Sequence, residues 1–219
     1  MQSWGLTDVG CVRKQNQDAF HIEKLDRHSL LAVVCDGMGG AKSGNVASSL
    51  AVDVFVQEVT RNWTSQTDWD KCDMILRSAV KLANFTVYDQ ACQFEEFSGM
   101  GTTLVAAVIR KNQASIINVG DSRCYAITNG SIRQVTKDHS VVQMMVDRGD
   151  LTPETAKTFP GKNLITRAVG TEPTILSDIY RQDLEKGSFL FLCSDGLSNM
   201  LDDQEILFEV VHGVNKQKC

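Results

Sequence analysis

The sequence has 219 residues, of which 42% are hydrophobic and 22% are charged. This length and composition are typical of a folded globular chain that buries about 70% of its unfolded surface, and they argue against intrinsic disorder. With 22 Lys and Arg residues against 27 Asp and Glu residues, the net charge is −5, which argues against a nucleic-acid partner because such proteins carry a basic surplus.

The chain also lacks the marks of a membrane or secreted protein. No apolar run approaches the roughly 20 residues of a membrane-spanning helix, and residues 1–5 show neither the basic nor the apolar part of a secretory signal. The seven cysteines are scattered, odd in number and without a CxxC pair, which favours reduced thiols over a disulfide framework or a zinc site. We therefore expect a cytoplasmic protein.

The first part of the chain predicts three strands followed by two helices. Apolar runs indicate strands at 4–9, 18–25 and 30–35. A first helix is predicted from Gly44 to about Asn62, and a second at about 70–92. Apolar residues recur at helical spacing in the first of these helices, at Ala47, Leu50, Ala51, Val54 and Phe55.

The second part of the chain predicts strands first. They lie at Gly101–Arg110, Ala114–Val119 and Arg123–Thr128. The pair Asn129-Gly130 is typical of a hairpin turn, which leads into a strand at Ile132–Val135.

The last part of the chain predicts an irregular surface segment with a short helix, then a strand and a final helix. All three prolines fall between 153 and 173, so we expect a short helix and an irregular surface segment over about 140–170. A strand at Ser188–Cys193 precedes a helix from about Asp203, where Asp202 and Glu205 are spaced like a capping box. Its apolar face would comprise Ile206, Leu207, Val210, Val211 and Val214.

This order of elements argues against alternating βαβ units and a doubly wound parallel sheet. Mostly antiparallel sheets flanked by helices fit it better. We therefore predict an α+β fold with one domain over residues 1–219.

Acidic residues stand at the ends of three apolar strands, each beside a glycine. They are Asp36, Asp121 and Asp195, and a fourth acid, Asp18, opens an earlier strand. Converging carboxylates repel one another unless a hard cation neutralises them, and oxygen ligands suit Mg²⁺ or Mn²⁺. The alternative is that Asp-Gly pairs simply form turns, and the spacing alone leaves both interpretations open.

Eight short motifs between residues 7 and 197 resemble, in order, those of the PPM (type 2C) family of metal-dependent serine/threonine protein phosphatases in its bacterial form. They are Thr7-Asp8-Val9-Gly10, Arg13-Lys14-Gln15-Asn16-Gln17-Asp18, Asp36-Gly37-Met38-Gly39-Gly40, Gly101-Thr102-Thr103, Gly120-Asp121-Ser122-Arg123, Asp138-His139-Ser140, Ile165-Thr166-Arg167 and Ser194-Asp195-Gly196-Leu197. The resemblance implies a four-layer α-β-β-α sandwich of two mostly antiparallel sheets flanked by helices.

The resemblance also implies a metal centre with two Mn²⁺ or Mg²⁺ ions. Asp36 would bridge the two ions, the Gly37 carbonyl would ligate one and Asp195 the other. Asp18 would hold metal-bound waters, which orients the ligands. Asp121, together with Asp195, matches the position of a weaker third ion.

On the same resemblance, Arg13 would bind the substrate phosphate, for which a planar guanidinium is suited. Eukaryotic relatives carry a histidine where this chain has Met38, which cannot donate a proton. We therefore expect a metal-bound water to protonate the leaving group, with His139 as the alternative donor. The stretch 141–163 corresponds to the family's flap, a segment that borders the site.

The implied activity is hydrolysis of phosphoserine and phosphothreonine in proteins, in opposition to a bacterial serine/threonine kinase. Family members end with an Asp-Asn motif whose aspartate is a metal ligand, and this sequence contains no Asp-Asn pair before Lys218-Cys219. The resemblance therefore implies a domain that is incomplete at its C-terminus.

Three other functions compete with this one. The stretch Gly120–Cys124 comes near a serine-hydrolase elbow but lacks its final glycine, and Asp36–Gly40 lacks the Lys-Ser/Thr of a nucleotide-binding loop. The stronger alternative is a catalytically impaired pseudophosphatase, or a regulator that binds phosphoproteins without turnover.

Overall fold

The chain folds into nine strands and six helices over the part described by the computed structural model, which covers residues 1–213 and, for residues 40–42, the backbone alone. The strands are β1 Asp18–Lys24, β2 Ser29–Met38, β3 Gly101–Thr102, β4 Leu104–Arg110, β5 Gln113–Val119, β6 Arg123–Thr128, β7 Ser131–Gln134, β8 Asp178–Asp183 and β9 Phe189–Cys193. The helices are α1 Gly40–Asn62, α2 Trp69–Gln93, α3 Val141–Arg148, α4 Pro153–Ala156, α5 Asp195–Ser198 and α6 Asp203–His212, with a 3-10 turn at Glu95–Phe97.

The strands form two antiparallel sheets. The larger sheet has the order β1-β2-β4-β5-β8, with β3 added to β2, and the smaller one has the order β7-β6-β9. Helices α1 and α2 pack on one face of the larger sheet, and α6 contacts β7 of the smaller one. This arrangement confirms the predicted α+β fold of two mostly antiparallel sheets flanked by helices.

Two hydrophobic cores follow from the alternation of side chains along the strands. On β2, Leu31, Val33 and Cys35 face the helical pair and are at most 1% exposed. Leu30, on the opposite face of β2, belongs with Cys124 of the smaller sheet to the core between the sheets. Strand β2 is therefore apolar on both faces, which explains its long apolar run.

Capping hydrogen bonds fix where two of the helices begin. Asp68 accepts a hydrogen bond from the Lys71 N–H (2.8 Å) and starts α2. At α6, Asp202 and Glu205 form the predicted capping box, with reciprocal hydrogen bonds of 2.9 and 2.8 Å. None of the described helices combines the length and the apolarity that crossing a bilayer requires.

Most of the predicted elements are confirmed, including the Asn129-Gly130 hairpin, where both residues have positive φ. The strand predicted at 4–9 is wrong: residues 1–15 are exposed, and residues 4–9 pair with no strand of the described structure. The predicted strand Gly101–Arg110 is interrupted at Thr103, where the Asp36 N–H donates to the side-chain Oγ1 (2.9 Å) instead of to a backbone carbonyl.

Some predictions fail for other reasons, and some remain untested. Strand β8 was not predicted, since its sequence carries three charged residues and only two apolar ones. In α6, Ile206 is buried but Val211 is 41% exposed, and Val214 lies outside the described residues. The extent of the domain over 1–219 stays a prediction.

Candidate active site

Two neighbouring strands bring the first two predicted acids together. Asp18 opens β1 and is the register partner of Asp36 on β2, so their backbones lie directly opposite each other. Asp121 follows β5, and Asp195 follows β9 as the first residue of α5. The charges of the three other acids all act on the carboxyl group of Asp36.

The electrostatics of this acid cluster, Asp18, Asp36, Asp121 and Asp195, favour a cation. Burial, followed by the charges of Asp18 and Asp195, raises the pKa of Asp36 to about 9. Burial and the nearby Asp195 raise the pKa of Asp121 to about 6. These carboxylates therefore cannot all be ionised near neutral pH without a compensating positive charge.

None of the four acids is in a salt bridge with a Lys, Arg or His of the described residues, and the charge of Arg123 lowers the pKa of Asp121 by less than burial and Asp195 raise it. An all-oxygen donor set of this kind fits Mg²⁺ or Mn²⁺. Within the same residues, no three His, Cys, Asp or Glu side chains are arranged so that they could hold one ion together. The set nevertheless fits a metal such as Mg²⁺, which usually binds through one or two carboxylates and keeps several waters.

The backbone of Asp36 is locked into the sheet by two threonines. Its N–H donates to Thr103 Oγ1 (2.9 Å), and its carbonyl accepts from the Thr103 N–H and from Thr102 Oγ1, both at 2.9 Å. Thr103 Oγ1 also lies 2.6 Å from Ser122 Oγ, in the loop that carries Asp121. The sequence motif Gly101-Thr102-Thr103 marked these residues, although their role could not be read from it.

Two further side chains orient the acids. Ser194 Oγ donates to Asp18 Oδ2 (2.7 Å) and so connects the larger sheet to the end of β9. Asn199 Nδ2 donates to Asp195 Oδ2 (3.0 Å) one helical turn further on. Sequence reasoning missed the role of both residues.

Gly37 lies where the chain passes closest to the start of α1. A Cβ there would stand 1.9 Å from the Gly44 carbonyl oxygen and 2.8 Å from that of Gln17. The Gly37 N–H donates to the same Gln17 oxygen (3.0 Å), which also accepts from Ser48 Oγ (2.6 Å). Only glycine fits this position.

Arg13 forms no hydrogen bond or salt bridge with the acid cluster in the described structure. It lies in the exposed segment 1–15 and makes no hydrogen bond or salt bridge within residues 1–213. Two other arginines are already paired: Arg123 binds Asp138 (2.8 Å), and Arg167 binds Asp178 (3.3 Å). Among these three, Arg13 alone has its guanidinium available for a phosphate.

His139 is buried, and both of its ring nitrogens are engaged. The Gly120 N–H donates to Nδ1 (3.1 Å), so the proton of the neutral ring is on Nε2, which lies 3.0 Å from Asp178 Oδ2 and 3.1 Å from Arg167 Nη1. Burial lowers the pKa of His139, and Arg167 beside it acts in the same direction. The proton-donor role of His139 stays untested, and these hydrogen bonds argue against it.

The predicted flap, 141–163, contains α3 and α4. Its two ends meet at an antiparallel bridge between Ser140 and Ile165. The predicted short helix is confirmed, whereas the function of the segment as a flap stays a prediction.

Comparison with known proteins identifies the family. A family model described as "Protein phosphatase 2C" matches residues 12–217. The serine/threonine phosphatase stp of Listeria welshimeri is 36% identical over 200 residues, which cover 91% of this chain and 79% of that protein.

Solved structures lead to the same family. The serine/threonine phosphatase Stp1 of Staphylococcus aureus superposes with a TM-score of 0.87 at 37% identity, covering 97% of this chain and 83% of that one. The catalytic domain of the phosphatase PstP in complex with two manganese ions has a TM-score of 0.76 at 32% identity, covering 92% of this chain and 80% of that one. The chain therefore belongs to the protein phosphatase 2C family of serine/threonine phosphatases.

Proposed function

We propose that this protein hydrolyses phosphoserine and phosphothreonine in proteins with two Mn²⁺ or Mg²⁺ ions at the acid cluster. The observation that carries the proposal is the convergence of four carboxylates, where burial and the neighbouring acids raise the pKa of Asp36 to about 9 and none of the four is in a salt bridge within the described residues. The relatives named as serine/threonine phosphatases and the manganese-bound PstP domain support it.

The residues of this chain divide the work as follows. Asp36 and Asp195, with the Gly37 carbonyl, would hold the two ions, and Asp18 would orient their water ligands. Asp121, with Asp195, would hold a weaker third ion. When bound, such ions make water a nucleophile near neutral pH and polarise the phosphoryl oxygens.

Arg13 would bind the phosphate of the substrate. Its guanidinium offers paired N–H donors that match phosphate oxygens, and it is exposed without a partner in the described structure. Because Arg13 supports no part of the fold, Arg13→Ala should raise the KM for a phosphopeptide by about tenfold and leave the melting temperature unchanged. An unchanged KM would refute this role.

Binding of phosphoproteins without turnover is the competing function. One observation favours it: no three acid, histidine or cysteine side chains within residues 1–213 are placed to hold a metal ion by themselves. A protein of this kind would bind phosphopeptides through Arg13 and would not release phosphate.

The deciding experiment measures phosphate release from an aryl phosphate and from phosphoserine and phosphothreonine peptides, in millimolar Mn²⁺ and in EDTA. We expect turnover that requires Mn²⁺ and falls at least about 100-fold in Asp36→Asn. The matched control is Asp53→Asn, which changes an exposed aspartate of α1 and should leave turnover unchanged. Peptide binding without turnover would establish the competing function, and turnover in EDTA would exclude the metal mechanism.

We further propose that the protein acts in the cytoplasm against a serine/threonine kinase, since a kinase must supply its substrates. The six described cysteines are free thiols, and burial raises the pKa of Cys193 to about 12, so this thiol stays protonated and unreactive. Cell fractionation would test the location. Increased phosphorylation of serine and threonine after deletion of the gene would test the opposition to a kinase.

A further inference from the structure

Gly120, which precedes Asp121, is held at both of its backbone groups. Its N–H donates to the His139 ring (3.1 Å), and its carbonyl accepts from the His139 N–H (2.9 Å) and from Asn118 Nδ2 (3.2 Å). Its φ of +100° is one that side-chain-bearing residues rarely adopt, and a Cβ would stand 2.7 Å from the Thr103 side chain. His139 thus contacts Gly120 with its ring and with its backbone.

The loop that begins at Gly120 leads to two of the four acids. Asp121 is the next residue, and Ser122 Oγ is 2.6 Å from Thr103 Oγ1, which accepts from the Asp36 N–H. A rotation of the loop at Gly120 would therefore move Asp121 directly and disturb Asp36 through Thr103.

The outer side of the His139 ring is fixed by residues from two other segments. Asp178, the first residue of β8, accepts from Nε2 at 3.0 Å and from Arg167 Nη1 at 3.3 Å, and Arg167 Nη1 also lies 3.1 Å from Nε2. The Thr166 N–H donates to the His139 carbonyl (2.8 Å), next to the bridge that closes segment 141–163. His139 thus joins the base of this segment through its backbone, and the start of β8 and the loop of Asp121 through its buried ring.

We propose that His139 is a positioning residue: its Nδ1 holds the Gly120 N–H so that Asp121 and Asp36 keep their places in the acid cluster. The inference rests on the proposed metal-dependent function and deepens it. His139 touches neither ion nor substrate in this role, and it acts only through the Gly120–Ser122 loop.

Two variants separate the two ring nitrogens. In His139→Asn the side-chain oxygen stands near the position of Nδ1 and can accept from Gly120, whereas in His139→Gln the amide stands near the position of Nε2 and can bind Asp178 alone. The measurements are amide hydrogen exchange at Gly120 by NMR, Mn²⁺ binding by calorimetry, and the Mn²⁺ concentration that gives half-maximal turnover.

We expect His139→Asn to stay within about twofold of wild type in all three measurements, because the Gly120 hydrogen bond is kept. In His139→Gln the Gly120 amide should exchange at least about tenfold faster and Mn²⁺ should bind about tenfold more weakly, while the substrate KM at saturating Mn²⁺ stays unchanged. Equal behaviour of the two variants, or an unchanged Mn²⁺ affinity in His139→Gln, would overturn the proposal.

Asp178→Ala provides a second test that leaves the buried ring in place. Asp178 is partly exposed, so its loss opens no cavity, removes the acceptor of Nε2 and leaves only Arg167 Nη1 beside it, and the Gly120 amide should exchange at least about threefold faster. An unchanged rate would count against the proposal even if the His139 variants failed to fold.

If the proposed enzymatic function is wrong, the wild-type protein gives a result that differs from failure of the positioning role. Wild-type protein that binds Mn²⁺ without releasing phosphate would overturn the enzyme assignment and leave the positioning role testable by exchange and calorimetry. Wild-type protein that binds no Mn²⁺ would overturn both.

Discussion

Gly37 shows at the scale of one residue how packing limits the chain beside the acids. The strand that carries Asp36 runs so close to α1 that the nearest atoms around Gly37 belong to the backbone of Gly44 and Gln17, which cannot rotate away as a side chain could. Lack of space for a Cβ therefore restricts this position to glycine. Backbone conformation does not, because the φ of Gly37 is outside the left-handed region.

We predict that Gly37→Ala destabilises the fold by about 3 kcal/mol or more, because its Cβ would overlap backbone on both sides. Urea unfolding followed by circular dichroism measures the change. Gly196→Ala is the matched control, since its Cβ would meet only Ser194 Oγ at 3.7 Å, and it should change stability by less than about 0.5 kcal/mol. Equal stabilities for the two variants would contradict the packing argument.

The acid cluster could be predicted from the sequence only in part. Asp36, Asp121 and Asp195 each follow or end an apolar run, so their position at strand ends could be read directly. Ser194 and Asn199 could not be assigned, because a hydroxyl or amide that orients an acid leaves no periodic signal. The place of Arg13 was expected from a motif, and its contact with phosphate stays a prediction.

At the scale of elements, prediction succeeded where burial dominates and failed at the edges. Strands β2, β4 and β5 are long apolar runs because the sheet is covered on both faces. Edge strand β8 is recognised only by its pairing with β5, since half of its side chains are charged. Residues 4–9 show the opposite failure. Their apolar pattern predicts a strand, but no strand forms, because a strand also needs a second strand to pair with.

Helix α2 offers a test at the scale of an element, through Asp68, the residue that caps its N-terminus. Asp68 accepts from the Lys71 N–H, and Asp68→Ala leaves that donor without this partner, so we expect a loss of about 1 kcal/mol in the free energy of unfolding. Asp68→Asn keeps an accepting oxygen and should lose less than half as much. If the two variants are equally destabilised, the cap does not contribute through this hydrogen bond.

At the scale of the whole molecule, folding brings four mutually repelling carboxylates from both sheets to one site. Two of them come from β1 and β2, one follows β5 in the same sheet, and Asp195 follows β9 in the other sheet. Because folding brings these acids together, at neutral pH the folded protein without metal keeps a proton on Asp36 that the unfolded chain has released.

We therefore predict that, in EDTA, stability falls by about 2 kcal/mol between pH 7 and pH 9. The pKa of Asp36 is raised in the folded state, so its favourable contribution is complete below about pH 4 and is lost as the pH rises through about 9. Asp121 adds to the fall at lower pH, since its folded pKa is about 6, while His139 acts in the opposite direction because its pKa is lowered. Thermal melts at each pH measure the effect.

Asp36→Asn serves as the control for this pH dependence. The variant lacks the titrating group and should melt at nearly the same temperature at pH 7 and pH 9. Mn²⁺ should likewise remove the fall in wild-type protein, because a bound cation compensates the ionised carboxylates. A fall that persists in Asp36→Asn would assign it to another group.

The distribution of the acids over both sheets has a kinetic consequence. A partly folded chain that has formed only the larger sheet lacks Asp195, so it would hold an ion poorly, and the full site exists only after the sheets have docked. Mn²⁺ should then slow unfolding and leave the refolding rate nearly unchanged, since a ligand that binds after the transition state lowers only the native state. In stopped-flow experiments, added Mn²⁺ would shift the unfolding arm of the chevron alone. Bound metal would then contribute to the kinetic stability of the folded protein without helping it to form.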